Sequence, residues 1–97
     1  MGAEGRIYRA VALSHARSAR GRNEEARGLA VEAASTARGT DSHLLRALAL
    51  EHLAELERQT DPDATRATLG EAATVHALWG NVVGAERVAQ LLRAPRP

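Results

Sequence analysis

Four histidines are the residues of this sequence best suited to metal binding or proton transfer. His43 and His52 are nine positions apart on one predicted helix, whereas two imidazoles that share a metal on a helix are usually four apart. His15 and His76 fall on other predicted helices. We interpret all four as partly exposed helix residues and predict no metal site.

Three glutamates, Glu51, Glu55 and Glu57, form an acidic cluster that could in principle do acid–base chemistry. Glu51 and Glu55 share a helical face, but general acid–base catalysis also needs a pocket that shifts a pKa. Arg58 follows them, and interleaved charges of this kind are typical of a solvated face. The sequence also contains no Cys to serve as a thiol nucleophile. We predict no catalytic residues, no cofactor and no enzymatic activity.

The composition favours helices and argues against nucleic acids and membranes as partners. Ala and Leu, both strong helix formers, dominate the apolar 44% of the 97 residues, and Phe is absent. All 13 basic residues are Arg and alternate with acidic residues, so no basic block follows a phosphate backbone. No apolar run is long enough for a membrane span or a signal peptide. We expect one cytoplasmic domain over residues 1–97.

Apolar periodicity and turn residues predict five helices joined by short connections, over residues 6–20, 23–38, 42–59, 60–79 and 82–94. Gly21, Gly39 and Gly80 are the predicted helix stops. The predicted N-caps are Asn23 for the second helix, Thr40 or Asp41 for the third, and Thr60 for the fourth. Connections this short join antiparallel neighbours, and no alternating β pattern is present, so the fold class is all-α.

The hairpins repeat with a period of about 40 residues. Unit one spans residues 6–39, unit two spans residues 41–80, and a terminal helix follows at 82–94. Each unit repeats the same pattern of residue types. The first helix carries a Leu followed by a small residue, and the second helix carries three spaced residues that are small or bulky. In unit one these residues are Leu13, Ser14, Ala26, Ala30 and Ala33, and in unit two they are Leu53, Ala54, Thr65, Leu69 and Ala72.

This pattern resembles the tetratricopeptide repeat, with units as long as those of kinesin-light-chain-type repeats and bacterial transcriptional regulators. The stretch ALALEHLAELERQTDPDATRATLGEAA is similar to helical sensor regions of actinobacterial regulators. The aromatic residue that the repeat carries near the end of its first helix is replaced by Arg17 and Glu57. The resemblance implies a right-handed stack of helix pairs. The alternative is a compact helical bundle whose closed core is formed by Leu44, Leu45, Leu48, Leu91 and Leu92.

The function implied by this resemblance is protein–protein interaction, as a scaffold or adaptor or as a sensor fragment of a larger regulator. A groove along the first and third helices would hold a peptide or helix of the partner. The groove residues would be Tyr8, Val11, His15, Glu51, Glu55 and Arg58.

The alternative function is a self-associating dimerisation domain. Two and a half units leave one end of the stack uncovered, and a homodimer would cover it. The residues expected at this end are Val88, Leu91 and Leu92.

Overall fold

The computed structural model describes residues 2–93, which form five α-helices and no strand. They are α1 (Ala3–Ala19), α2 (Asn23–Arg38), α3 (His43–Glu57), α4 (Pro62–Leu78) and α5 (Val82–Arg93). The predicted all-α class is confirmed. No helix in this part of the chain has the length and apolar character needed to cross a membrane.

Two glycines end helices in the conformation that only glycine adopts without strain. Gly21 follows α1 with φ +75°, and Gly80 follows α4 with φ +74°. The N–H of Arg22 bonds the carbonyl of Arg17, and that of Asn81 bonds the carbonyl of His76, at 2.9 Å in both turns. These bonds reverse the chain within three residues, between α1 and α2 and between α4 and α5.

The side chains that cap α3 and α4 lie next to the predicted ones. Ser42 Oγ accepts from the N–H of Leu45 at 3.2 Å, so neither Thr40 nor Asp41 caps α3. Asp61 Oδ1 accepts from the N–H of Ala64 at 3.0 Å, so Thr60 does not cap α4. In both cases the residue directly before the first helical turn is the one whose side chain reaches the third helical N–H.

The predicted cap of α2 was also wrong. Asn23 is already the first residue of the helix, and Arg22 occupies the capping position without a side-chain bond to the backbone. The first turn instead carries Glu24 and Glu25, whose negative charges favour the positive end of the helix dipole.

The helices pack in chain order, each against its predecessor and successor, and α1 also packs against α3. The molecule is accordingly flat, with principal extents of 34 × 30 × 17 Å. Helices two apart in the chain are joined by side chains. Arg38 of α2 makes a bidentate ion pair with Glu71 of α4, with N–O distances of 2.7 and 2.9 Å, and this guanidinium lowers the pKa of the Glu71 carboxyl.

The core combines an alanine-lined helix with a leucine-lined one. The buried face of α2 consists only of alanines, which let its neighbours approach closely. The bulky core residues come mainly from the other helices, among them Ile7, Leu50, Val75 and Val88, all nearly or fully buried. Because burying one such side chain contributes roughly 1.5–3 kcal/mol, these residues supply most of the apolar stabilisation.

The closed core expected for the alternative bundle is absent. Leu45 is buried and Leu92 packs partly against the core, but Leu44, Leu48 and Leu91 are 55%, 37% and 44% exposed. The reason is that α1, α2 and α4 cover α3 on most sides and leave one strip of it open. The leucines in that strip face outward.

Candidate functional site

The open strip of α3 is the starting point of the candidate site. Leu44, Leu48, Glu51, Glu55 and Arg58 recur at alternating spacings of four and three, which places them on one helical face. The flanking positions of the helix are buried. Two exposed leucines therefore lie at the beginning of the strip and charged side chains toward its end.

Tyr8 of α1 extends the apolar end of this strip. The rings of His15 and His52 lie 4.2 Å apart and fix how α1 lies beside α3. Both helices run in the same direction, because one antiparallel helix separates them in the chain. Tyr8 lies two turns before His15 and Leu48 one turn before His52, so Tyr8, 46% exposed, is on the same side as the exposed leucines.

The helix α5 continues the surface on the opposite side of α3. Arg87 Nη2 lies 2.6 Å from Glu51 Oε1 and fixes this register. Val83 is one turn before Arg87 and Leu91 one turn after it, and they are 80% and 44% exposed. We call the surface formed by the exposed sides of α1, α3 and α5 the odd-helix face. Its apolar residues are Tyr8, Leu44, Leu48, Val83 and Leu91.

The charges bordering the odd-helix face are compensated within the chain. Glu51 contacts both Arg87 and His76, and Glu55 pairs with Arg58 at 3.6 Å. Glu55 and Arg58 also line an open depression. The face therefore offers apolar contact area with a nearly neutral rim.

The structure separates the residues predicted for the groove into two groups. Tyr8, His15, Glu55 and Arg58 are exposed, and Glu51 is partly exposed. Val11 is buried and belongs to the core, so it is not available to a partner.

The residues predicted for self-association also separate. Val88 is fully buried, so no partner can reach it. Leu92 packs against the core, and only Leu91 is exposed.

Ser14 and His52 form a buried pair of the residue types found in serine–histidine nucleophiles. Here, however, the histidine donates to the serine hydroxyl instead of accepting from it. Ser14 Oγ donates to the carbonyl of Ala26 at 2.6 Å. His52 Nε2, 2.8 Å from Ser14 Oγ, must therefore donate its proton to the hydroxyl. An imidazole in this state cannot accept the serine proton, so the pair joins α1, α2 and α3 without activating a nucleophile.

Burial keeps His52 neutral. Desolvation of the ring, with a smaller contribution from the nearby His15, lowers the pKa of His52 from 6.5 to about 4. The neutral ring matches its role as a single N–H donor to Ser14.

A second buried histidine, His76, uses both ring nitrogens inside the protein. Its Nε2 lies 2.9 Å from Glu51 Oε2, and its Nδ1 lies 3.1 Å from Asn81 Nδ2. A carboxylate–histidine pair can activate a nucleophile only when the second nitrogen is free, and here Asn81 occupies it. In the described residues, no group of three or more His, Cys, Asp or Glu side chains could hold a metal ion.

The expected partial exposure of the histidines is wrong for His52 and His76, whose buried polar contacts were not predicted from the sequence. The sequence contains one indication, because the predicted repeat aligns His76 with the buried Ala37. A polar residue at a buried position requires an internal partner. The identity of the partner, Glu51 on another helix, depends on the tertiary arrangement.

Comparisons of the chain with protein-family models, with curated proteins and with solved structures found no match.

Proposed function

We propose that this chain is a protein-interaction module that holds an apolar segment of a partner, a helix or a peptide, against the odd-helix face. The observation that carries the proposal is that five large hydrophobic side chains from three helices are exposed on one surface. Exposed large apolar side chains that are grouped on one surface are typical of binding sites.

The charge pattern around the face supports an apolar partner segment. Because Glu51, Glu55, Arg58 and Arg87 are paired within the chain, a strongly charged ligand would have to compete with existing ion pairs. An amphipathic helix that presents Leu, Ile or aromatic residues would instead bury exposed leucines and gain roughly 25 cal/mol for each Å² of apolar surface removed from water.

The arrangement of small residues supports a tetratricopeptide-like interpretation as part of this proposal. Ser14 and Ala54 are buried where the first helix of each unit meets the second, together with Ala26, Ala33 and Ala72. Serial packing of hairpins is also how such repeats form their grooves. On this view the chain serves as a cytoplasmic adaptor or as the sensor part of a larger regulator of the actinobacterial type.

The test is selection of binding peptides from a displayed library, followed by affinity measurements on two variants. Leu44→Glu with Leu48→Glu places charges in the centre of the odd-helix face. Val31→Glu is the matched control, because Val31 is similarly exposed but lies on α2. We expect selected peptides to bind the wild type and Val31→Glu equally and the double variant at least about tenfold more weakly. Equal binding to all three proteins would contradict the proposal.

Self-association through the same face is the second candidate, because Leu91, predicted for self-association, is one of its exposed residues. Light scattering over about a hundredfold range of concentration measures the mass of the wild type and of Leu91→Glu. A dimer that Leu91→Glu converts into a folded monomer would assign the face to a second copy. Two folded monomers would rule self-association out and leave the face to a different protein.

A further inference from the structure

The start of α5 is held by one asparagine. Asn81 precedes the first residue of α5, and its Oδ1 accepts a hydrogen bond from the N–H of Gly84 at 3.0 Å. This is an N-cap, and it satisfies one of the four N–H groups that the first helical turn leaves unbonded. The same amide group contacts the buried His76 through its Nδ2.

The hydrogen bond of the Gly84 N–H determines which nitrogen of His76 carries the proton. Because this N–H requires an acceptor, the Oδ1 of Asn81 must face α5 and its Nδ2 group must face the imidazole. His76 Nδ1 must then be an unprotonated acceptor, and the ring proton is on Nε2, which donates to Glu51. The indole Nε1 of Trp79 also points at Nδ1, at 3.5 Å.

At Gly84, α5 packs tightly on His76 and Asn81. A Cβ atom built on Gly84 would lie 2.6 Å from both His76 Nδ1 and Asn81 Nδ2, so α5 lies directly on the imidazole and the amide. Beyond this contact, α5 is held mainly by the buried Val88 and the partly buried Leu92. Two hydrogen bonds add to this packing: Arg66 donates to the carbonyl of Leu92, and Arg87 donates to Glu51. The cap is therefore a substantial part of what keeps this helix in place.

We propose that His76 is a proton-sensitive latch for α5. A proton on Nδ1 would face the Asn81 amide donor, and rotating the amide would turn its donor toward the Gly84 N–H. Either orientation brings two donors together. The first breaks the bond between Asn81 and His76, and the second breaks the cap at Gly84, so protonation loosens α5 from α4 in both cases.

Several charged and titratable groups surround this latch. Glu51 of α3 contacts the imidazole, and Arg87 of α5 pairs with the same carboxylate. Trp79 separates the ring from His43, whose ring lies 6.4 Å beyond the indole. The latch does not depend on the proposed function. Only an effect of the latch on partner binding rests on that function, because α5 contributes Val83 and Leu91 to the odd-helix face.

The experiment combines two measurements on the complete chain between about pH 8 and pH 5, the range in which histidines titrate. Long-range ¹H–¹⁵N spectra report which nitrogen of His76 carries the proton. Amide hydrogen exchange reports the protection of α5. Acid also weakens the whole fold through His52, so the readout is the protection of α5 relative to that of α2.

We expect the proton of His76 on Nε2 at the high end of this range. As His76 takes up its second proton, the relative protection of α5 should fall about tenfold with the same midpoint. A proton on Nδ1 at the high end would overturn the proposal, and so would an unchanged relative protection of α5 while His76 titrates.

Asn81→Asp is the matched variant. Its carboxylate can accept from the Gly84 N–H and from a protonated Nδ1 at once, so acid no longer creates a donor conflict. The relative protection of α5 should then stay level or rise on acidification. If α5 of this variant loses protection as it does in the wild type, the donor conflict between His76 and Asn81 is not what loosens α5. The peptide-binding test can fail without affecting this result.

Discussion

The buried imidazole of His52 makes the stability of the protein depend on pH. Its pKa falls from 6.5 to about 4 because the ring is desolvated and lies beside His15. The unfolded chain therefore binds this proton more readily than the folded chain does. The contribution of His52 to the free energy of unfolding is fully present above about pH 6.5. It decreases as the pH falls and is lost by about pH 4.

His52→Gln isolates this contribution, because a glutamine amide can donate to Ser14 but does not titrate. Between about pH 7 and pH 4.5 we expect the free energy of unfolding of the wild type to decrease by about 2 kcal/mol more than that of the variant. Urea unfolding at several pH values measures this difference. Parallel pH curves for the two proteins would show that His52 does not contribute.

At Gly84 the close approach of α5 to His76 excludes any side chain. We expect Gly84→Ala to destabilise the protein by about 1–3 kcal/mol, because the new Cβ must displace His76 and Asn81. Gly28→Ala is the control, since a Cβ there, in the middle of α2, meets nothing within 4 Å. That change should be neutral or stabilising by up to about 1 kcal/mol through helix propensity. Thermal unfolding compares the two, and equal shifts would contradict the close packing.

At the scale of the element, the start of α4 distinguishes two neighbouring capping residues. Asp61→Ala should cost about 1 kcal/mol, because the N–H of Ala64 loses its bond to the carboxylate. Thr60→Ala should have little effect, since Thr60 is exposed and precedes the capping position. Chemical denaturation of both variants measures the difference. A larger cost at Thr60 would restore the cap expected from the sequence.

At the scale of the whole molecule, serial packing predicts a gradient of local stability. The helix α3 packs against α1, α2 and α4, whereas α5 packs closely only against α4. We expect native-state hydrogen exchange at neutral pH to show the highest protection in α3 and at least about tenfold less in α5, which can open without disturbing the rest. Equal protection throughout would instead indicate one cooperative unit.

The sequence by itself determined the helical content and the order of the elements. Helix propensity, apolar periodicity and the glycines at 21 and 80 act over a few neighbouring residues, so they can be interpreted without tertiary structure. Several small residues on which the predicted repeat rests, among them Ala33 and Ala72, are also buried. Cap positions were wrong by one or two residues, because several adjacent polar side chains compete for the same N–H groups.

Only the tertiary structure decided which side chains are available to a partner. Leu48 and Val88 both occupy apolar positions in helical patterns, yet one is exposed on the odd-helix face and the other is fully buried. The contacts of His52 with Ser14 and of His76 with Glu51 join residues 38 and 25 positions apart. Such pairs depend on how the hairpins are rotated and stacked. That arrangement is set by the summed packing of all five helices, so local sequence does not contain it.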